Sequence, residues 1–211
     1  MGIEIVKIYL KMKQIILALV VITFSITSFS QNNPRPTKSR FWNSKFSTFS
    51  IKPGDVLVYT MDNGEKQSEM IVRVKKFGPT INFDYDMAGN RSNVNLQTAA
   101  VNNAVKYNGA ITNAKSDFKN ESAVWISKKS YRELASEGST KMDFGNGPVT
   151  FTRGNTGTLK INYKGKEKIV TLFNITSEEA GNYSFGVLTD ENNPLILTLN
   201  TTGKLTLKEV R

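Results

Sequence analysis

Asp84 and Asp86 stand one residue apart in the segment TINFDYDM. On a β-strand that spacing places both carboxylates on one face, roughly 7 Å apart. Such a pair can hold a hard cation such as Ca²⁺, or divide acid and base roles between two groups. The same alternation, with Ile81, Phe83, Tyr85 and Met87 opposite Asn82, Asp84 and Asp86, is also the ordinary pattern of a half-buried strand. A second candidate is AVWISKKSYRELASEG, residues 123 to 138, where Ser127, Lys128, Lys129, Ser130 and Tyr131 crowd together. A helical Ser–Lys dyad needs its two members three or four residues apart. Neither lysine is so placed after Ser127, and Glu133 and Leu134 occupy those offsets after Ser130. Capping accounts for the segment better. Ser127 is a natural N-cap, Ile126 and Tyr131 fit a hydrophobic staple, Trp125, Tyr131, Leu134 and Ala135 can share one face, and Gly138 sits where a left-handed residue ends a helix.

Lysines form the third candidate. Lys160, Lys164, Lys166 and Lys168 gather around one expected hairpin, and Lys204, Lys208 and Arg211 crowd the C-terminus. On neighbouring strands they would make one positive face, suited to an anionic envelope polymer, a lipid headgroup or another envelope protein. No helix-turn-helix or RNA-binding pattern accompanies the charge, so nucleic acid is not an expected partner. A fourth possibility is an interior cavity for a hydrophobic ligand or lipid, with Phe83, Tyr85, Trp125, Phe151, Phe173 and Phe185 as candidate lining. A filled core would use the same residues.

The composition narrows the chemistry. The 211 residues include no His and no Cys. Ser-His-Asp and Cys-His catalysis are therefore excluded, as are zinc sites that need either residue. No cofactor is expected, and the only enzyme reading left with named residues is a carboxylate-based hydrolase using Asp84 or Asp86. With 28 basic and 18 acidic residues the chain carries a net charge of +10.

These candidates need strands to position them. From Val56 onward, runs such as VLVYTMD, TINFDYDM, TLKINYK and PLILTLN are separated by Gly- and Asn-containing turns, including Asp62-Asn63-Gly64. Residues 99 to 115 read equally as a short helix or as two weak strands. The pattern predicts one mainly β domain over residues 46–211, an antiparallel roll, barrel or sandwich, with one short α-helix at about 127–137 packed on it as a plug. Ahead of it, MKQIILALVVITFSITSFS begins at Met12 with a lysine, an apolar run and a small-residue end. That is the order of a signal peptide, residues 1–30, cleaved near Ser30 and Gln31. A flexible arm, residues 31–45, follows. The mature chain is then exported, to the periplasm or cell surface, and has no transmembrane span.

The opening of the β domain, FSIKPGDVLVYTMDNGEKQSEMIVRVKKFG, carries Pro53, Gly54, Tyr59 and the run Ile71 to Val74. In these positions it resembles the TapB-like, domain-of-unknown-function group of exported bacterial proteins, and the signal peptide resembles those of Bacteroidota. The resemblance implies a spiral β-roll. That group has no agreed activity, so no residue role is carried over. The expectation is a non-enzymatic exported protein that binds or scaffolds a partner.

Overall fold

Strand formation follows the alternation of large apolar and polar side chains. In strand β3 (Ile81–Met87), Ile81, Phe83 and Tyr85 are buried, while Asn82, Asp84 and Asp86 lie on the other face. The computed structural model describes residues 47–109, 111–179, 181 and 183–211. The expected signal peptide and N-terminal arm lie outside them.

Strands β1 (Val56–Asp62), β2 (Gln67–Lys76), β3 and β4 (Asn90–Leu96) form an antiparallel meander. The ambiguous segment, residues 99 to 115, holds most of helix α1 (Thr98–Asn103) and the two-residue strand β5 (Lys106–Tyr107); β6 (Lys115–Phe118) begins at its last residue, and β7 (Glu121–Ser122) follows. Helix α2 (Lys128–Ser136) leads into β8 (Ser139–Asp143), the long hairpin of β9 (Pro148–Tyr163) and β10 (Lys166–Ser177), and then β11 (Tyr183–Leu188), β12 (Ile196–Asn200) and β13 (Lys204–Val210). The thirteen strands of the described residues belong to one sheet, in the order β6-β4-β3-β2-β1-β13-β12-β11-β10-β9-β8-β5-β7. The end of β13 also pairs, in parallel, with the end of β9, so β9 to β13 form a closed circuit. The outermost strands, β6 and β7, are separated in the chain only by Lys119 and Asn120. The sheet therefore curls until its two edges nearly meet. The protein is mainly β with short helices, as the sequence pattern predicts.

Two apolar clusters result, because β10 to β12 bury both faces. The run IVTLFNI in β10 does not alternate; Val170 and Leu172 join one cluster while Phe173 and Ile175 join the other. Where strands crowd closest, at Gly186, an added Cβ would lie 2.6 Å from Thr198 Oγ1 and 3.1 Å from Leu172 Cδ1. Only glycine fits there.

Helix α2 is built as its residues require. The Ser127 hydroxyl accepts a hydrogen bond from the Ser130 N–H at 3.1 Å, and Gly138 adopts φ +79° just beyond the C-cap. Ile126, Tyr131 and Leu134 are buried together against β8 to β12. Trp125 departs from the expected shared face. It packs in the other cluster, against Phe77 and Phe83, and its indole N–H donates to Asn193 Oδ1 at 3.0 Å. The reason lies in the backbone at Val124.

Candidate functional site

Along the inner face of the meander, residues of adjacent strands form apolar rungs. Met61 of β1 is paired with Leu205 of β13, which is paired in turn with Leu199 of β12. The next rung joins Tyr59, Met70 and Met87 of β1, β2 and β3. Facing these rungs are Tyr107 of β5, Ala123 and Val124 after β7, Phe144 after β8 and Tyr183 at the start of β11. Between the two walls lies a cleft of about 540 Å³, within the range that encloses drug-sized ligands. Its mouth is framed by turns: Asn63 between β1 and β2, Gly145 between β8 and β9, and Thr201 to Gly203 between β12 and β13.

The polar groups inside are already spoken for. Tyr59 O–H donates to the Ile196 carbonyl at 2.8 Å, and Tyr85 O–H donates to Met87 Sδ at 3.1 Å. Tyr107 makes a backbone hydrogen bond with Val124 and stacks on Phe144, with centroids 4.8 Å apart. Burial raises the phenol pKa of all three: that of Tyr85 is pushed up to about 12, and those of Tyr59 and Tyr107 well above the ordinary value. They are neutral hydroxyls at any ordinary pH. Among the described residues the cleft has one lining cation, Lys106, which is held at 2.6 Å by Glu121 on the neighbouring strand.

Val124 is where the chain passes from cleft to core. Its φ is +65°, a region that a β-branched residue rarely enters. The Trp125 N–H closes onto the Ala123 carbonyl at 2.7 Å, making a classic γ-turn centred on Val124. Strand-like bonds lock it from outside: the Ile196 N–H donates to the Val124 carbonyl at 2.9 Å, and the Ile126 N–H to the Pro194 carbonyl at 3.1 Å. The turn leaves Ala123 and Val124 lining the cleft and sends Trp125 into the packed interior.

The residues singled out by sequence lie elsewhere. Asp84 and Asp86 do share the outer face of β3, beside an open polar depression of about 430 Å³. Each, however, is bound to its own cation: Asp84 to Lys75 at 2.7 Å and Asp86 to Arg91 at 3.0 Å. Lys75 and the Asn93 amide together hold the Asp84 carboxyl below the usual carboxylate range. A carboxylate so held is a poor proton donor. Among the described residues no group of three or more metal-ligating side chains occurs.

Lys160, Lys164, Lys166 and Lys168 do meet at one hairpin, β9 to β10, whose turn places Lys164 and Gly165 at φ +53° and +79°. The register divides them rather than pooling them. Lys168 is opposite buried Ile161, whereas Lys160 is opposite exposed Ile169, so the two lysines project from different faces. Lys160 is paired with Glu167 at 2.6 Å, and Lys164 with the buried Asp55 at 2.7 Å. The expected single positive face is not formed by this hairpin.

Of the six aromatics expected around a cavity, only Tyr85 lines the cleft; Phe83 and Trp125 fill one cluster, and Phe151, Phe173 and Phe185 the other. The walls depend instead on Tyr59, Met61, Met70, Met87 and Tyr107. The available signal was the methionines: three of the chain's six, Met61, Met70 and Met87, line the cleft from strand positions, where adaptable side chains suit variable occupants. Among the described residues no helix is long and apolar enough to cross a membrane. Family models, curated proteins and solved structures were all compared with the chain, and none matches it.

Proposed function

We propose that this is an exported, non-enzymatic binding protein whose cleft carries a small hydrophobic molecule. One observation carries the reading: an apolar space of about 540 Å³ whose internal hydroxyls are satisfied and whose one lining cation among the described residues is neutralised. A void of that size in a structural core forfeits contacts that packing would otherwise supply. Occupancy by a ligand restores them. The lack of His and Cys and the separately paired Asp84 and Asp86 give a hydrolase no matching support. Export, and the likeness of the opening hairpin to the TapB-like group, belong to the same proposal.

The test is binding of the uncharged probe N-phenyl-1-naphthylamine, followed by its fluorescence, together with native mass spectrometry of protein purified from its own envelope. Saturable binding is expected, and cargo released by organic extraction. Leu205→Trp places an indole inside the cleft and should abolish probe binding while leaving the circular dichroism spectrum unchanged; Met61→Trp, in the same rung, is the alternative if the first variant does not fold. Probe binding that survives in a folded Leu205→Trp or Met61→Trp protein overturns the assignment.

A further inference from the structure

Resting on that reading, we infer that the cargo is an uncharged amphiphile, its apolar body between the rungs and a hydroxyl- or carbonyl-bearing end at the Thr201–Thr202 turn. Three observations converge on this class. First, among the described residues the cleft offers an anion no cation that is not already paired. Lys106 is 2.6 Å from Glu121 Oε1, whose other oxygen accepts a hydrogen bond from the Asn108 amide at 3.2 Å. A carboxylate or phosphate entering here would have to displace Glu121 or remain buried without a partner, and an unpaired buried charge is strongly disfavoured.

Second, the abundant lysines nearby point away. On β13, Leu205 lines the cleft, so Lys204 and Thr206 alternate to the opposite face. The charge of Lys204 is therefore directed away from the cleft. Third, polar capacity that is still open sits at the mouth. The hydroxyls of Thr201 and Thr202 make no hydrogen bond among the described residues, and both residues border the cleft. The Thr201 N–H is taken by the Gly203 carbonyl at 3.0 Å, which holds the turn in shape while leaving those hydroxyls to solvent or ligand. Deep apolar walls and a neutral polar rim match a molecule with one uncharged hydrophilic end.

Two ligands with the same acyl chain decide the matter: 1-monooleoylglycerol, which is neutral, and oleate, which is anionic at pH 8. Each is titrated, below its aggregation concentration, against protein preloaded with N-phenyl-1-naphthylamine. The expected result is that monooleoylglycerol displaces the probe at concentrations at least about tenfold below those of oleate. Glu121→Gln should then narrow the gap by improving oleate alone, because it releases Lys106. If the probe binds in the cleft but oleate competes as well as or better than the neutral lipid, this inference falls and the binding function stands. If the probe does not bind at all, both fall.

Discussion

The inner face of the β1–β4 meander ends in two different ways. At one end Ile81, Phe83 and Leu96 are covered by Phe77, Ala100, Val101 and Trp125, and the residual void is about 10 Å³. At the other, Tyr59, Tyr85, Met61, Met70 and Met87 face about 540 Å³ of open space. The strands are the same strands, and the alternation is continuous from one end to the other. What differs is the covering segment. Residues 97 to 107 and 123 to 126 bring an indole to the first end and small or tethered groups to the second. A single γ-turn at Val124 divides them. The comparison teaches that this sheet can be sealed by a bulky side chain and that, over half its length, it is not.

The largest test of the contrast is pH. Tyr59, Tyr85 and Tyr107 are all held neutral by burial, with pKa values raised above the unfolded value near 10. A raised acid pKa means the fold favours the protonated form. Its stabilising effect is complete below about pH 10 and is lost as pH rises toward the folded values. We expect unchanged stability and probe binding from pH 6 to 9, then cooperative loss of both between about pH 10 and 12. The tyrosinate absorbance contributed by these three residues, taken as the difference from their Tyr→Phe variants, should rise together with that loss; a contribution that appears near pH 10 while the protein is still folded would contradict it.

Next in size is Trp125→Ala. It removes the keystone of the sealed end and the indole bond to Asn193 and should cost about 3–5 kcal/mol in urea denaturation. Met61→Ala, at the open end, removes a half-buried side chain that already borders empty space. Its expected cost is below about 1 kcal/mol, with a clear loss of probe affinity. Equal costs for the two substitutions would mean that the ends are not energetically distinct.

The smallest effect falls on the divider. Replacing a buried valine of an ordinary strand with glycine, as in Val72→Gly, should cost about 3 kcal/mol or more. At Val124 the lost burial is offset by relief of a strained φ that costs about 1–3 kcal/mol. Val124→Gly is therefore expected to lie within about 1 kcal/mol of the parent. A cost as large as that of Val72→Gly would show that the turn stores no strain.

Much of this architecture could be read from residues alone. Period-two alternation located β3, the Asn-Gly and Lys-Gly turns located two hairpins, and Ser127 and Gly138 bracketed helix α2. Those signals are local, and local propensities decide them. The cleft was not legible, because it depends on which strands become neighbours. Met61, Leu205 and Leu199 are brought together only by pairing β1 with β13 and β13 with β12. The division of the lysine cluster has the same origin, since cross-strand register, not proximity in sequence, assigns Lys160 and Lys168 to their faces. Trp125 was misassigned for a narrower reason: helical periodicity was extended into a residue preceded by a left-handed valine.

The pairing of β1 with β13 also sets a clock. The second strand edge that β1 needs is supplied by residues 204 to 210, far from it in sequence. Closing so long a loop comes late and slowly in folding, since the entropy of closure precedes the contacts that reward it. Until those residues dock, β1 is unpartnered on one side and the cleft has no floor. The proposed binding site therefore exists only once two strands far apart in sequence have paired, which makes it a product of long-range closure rather than of any local segment.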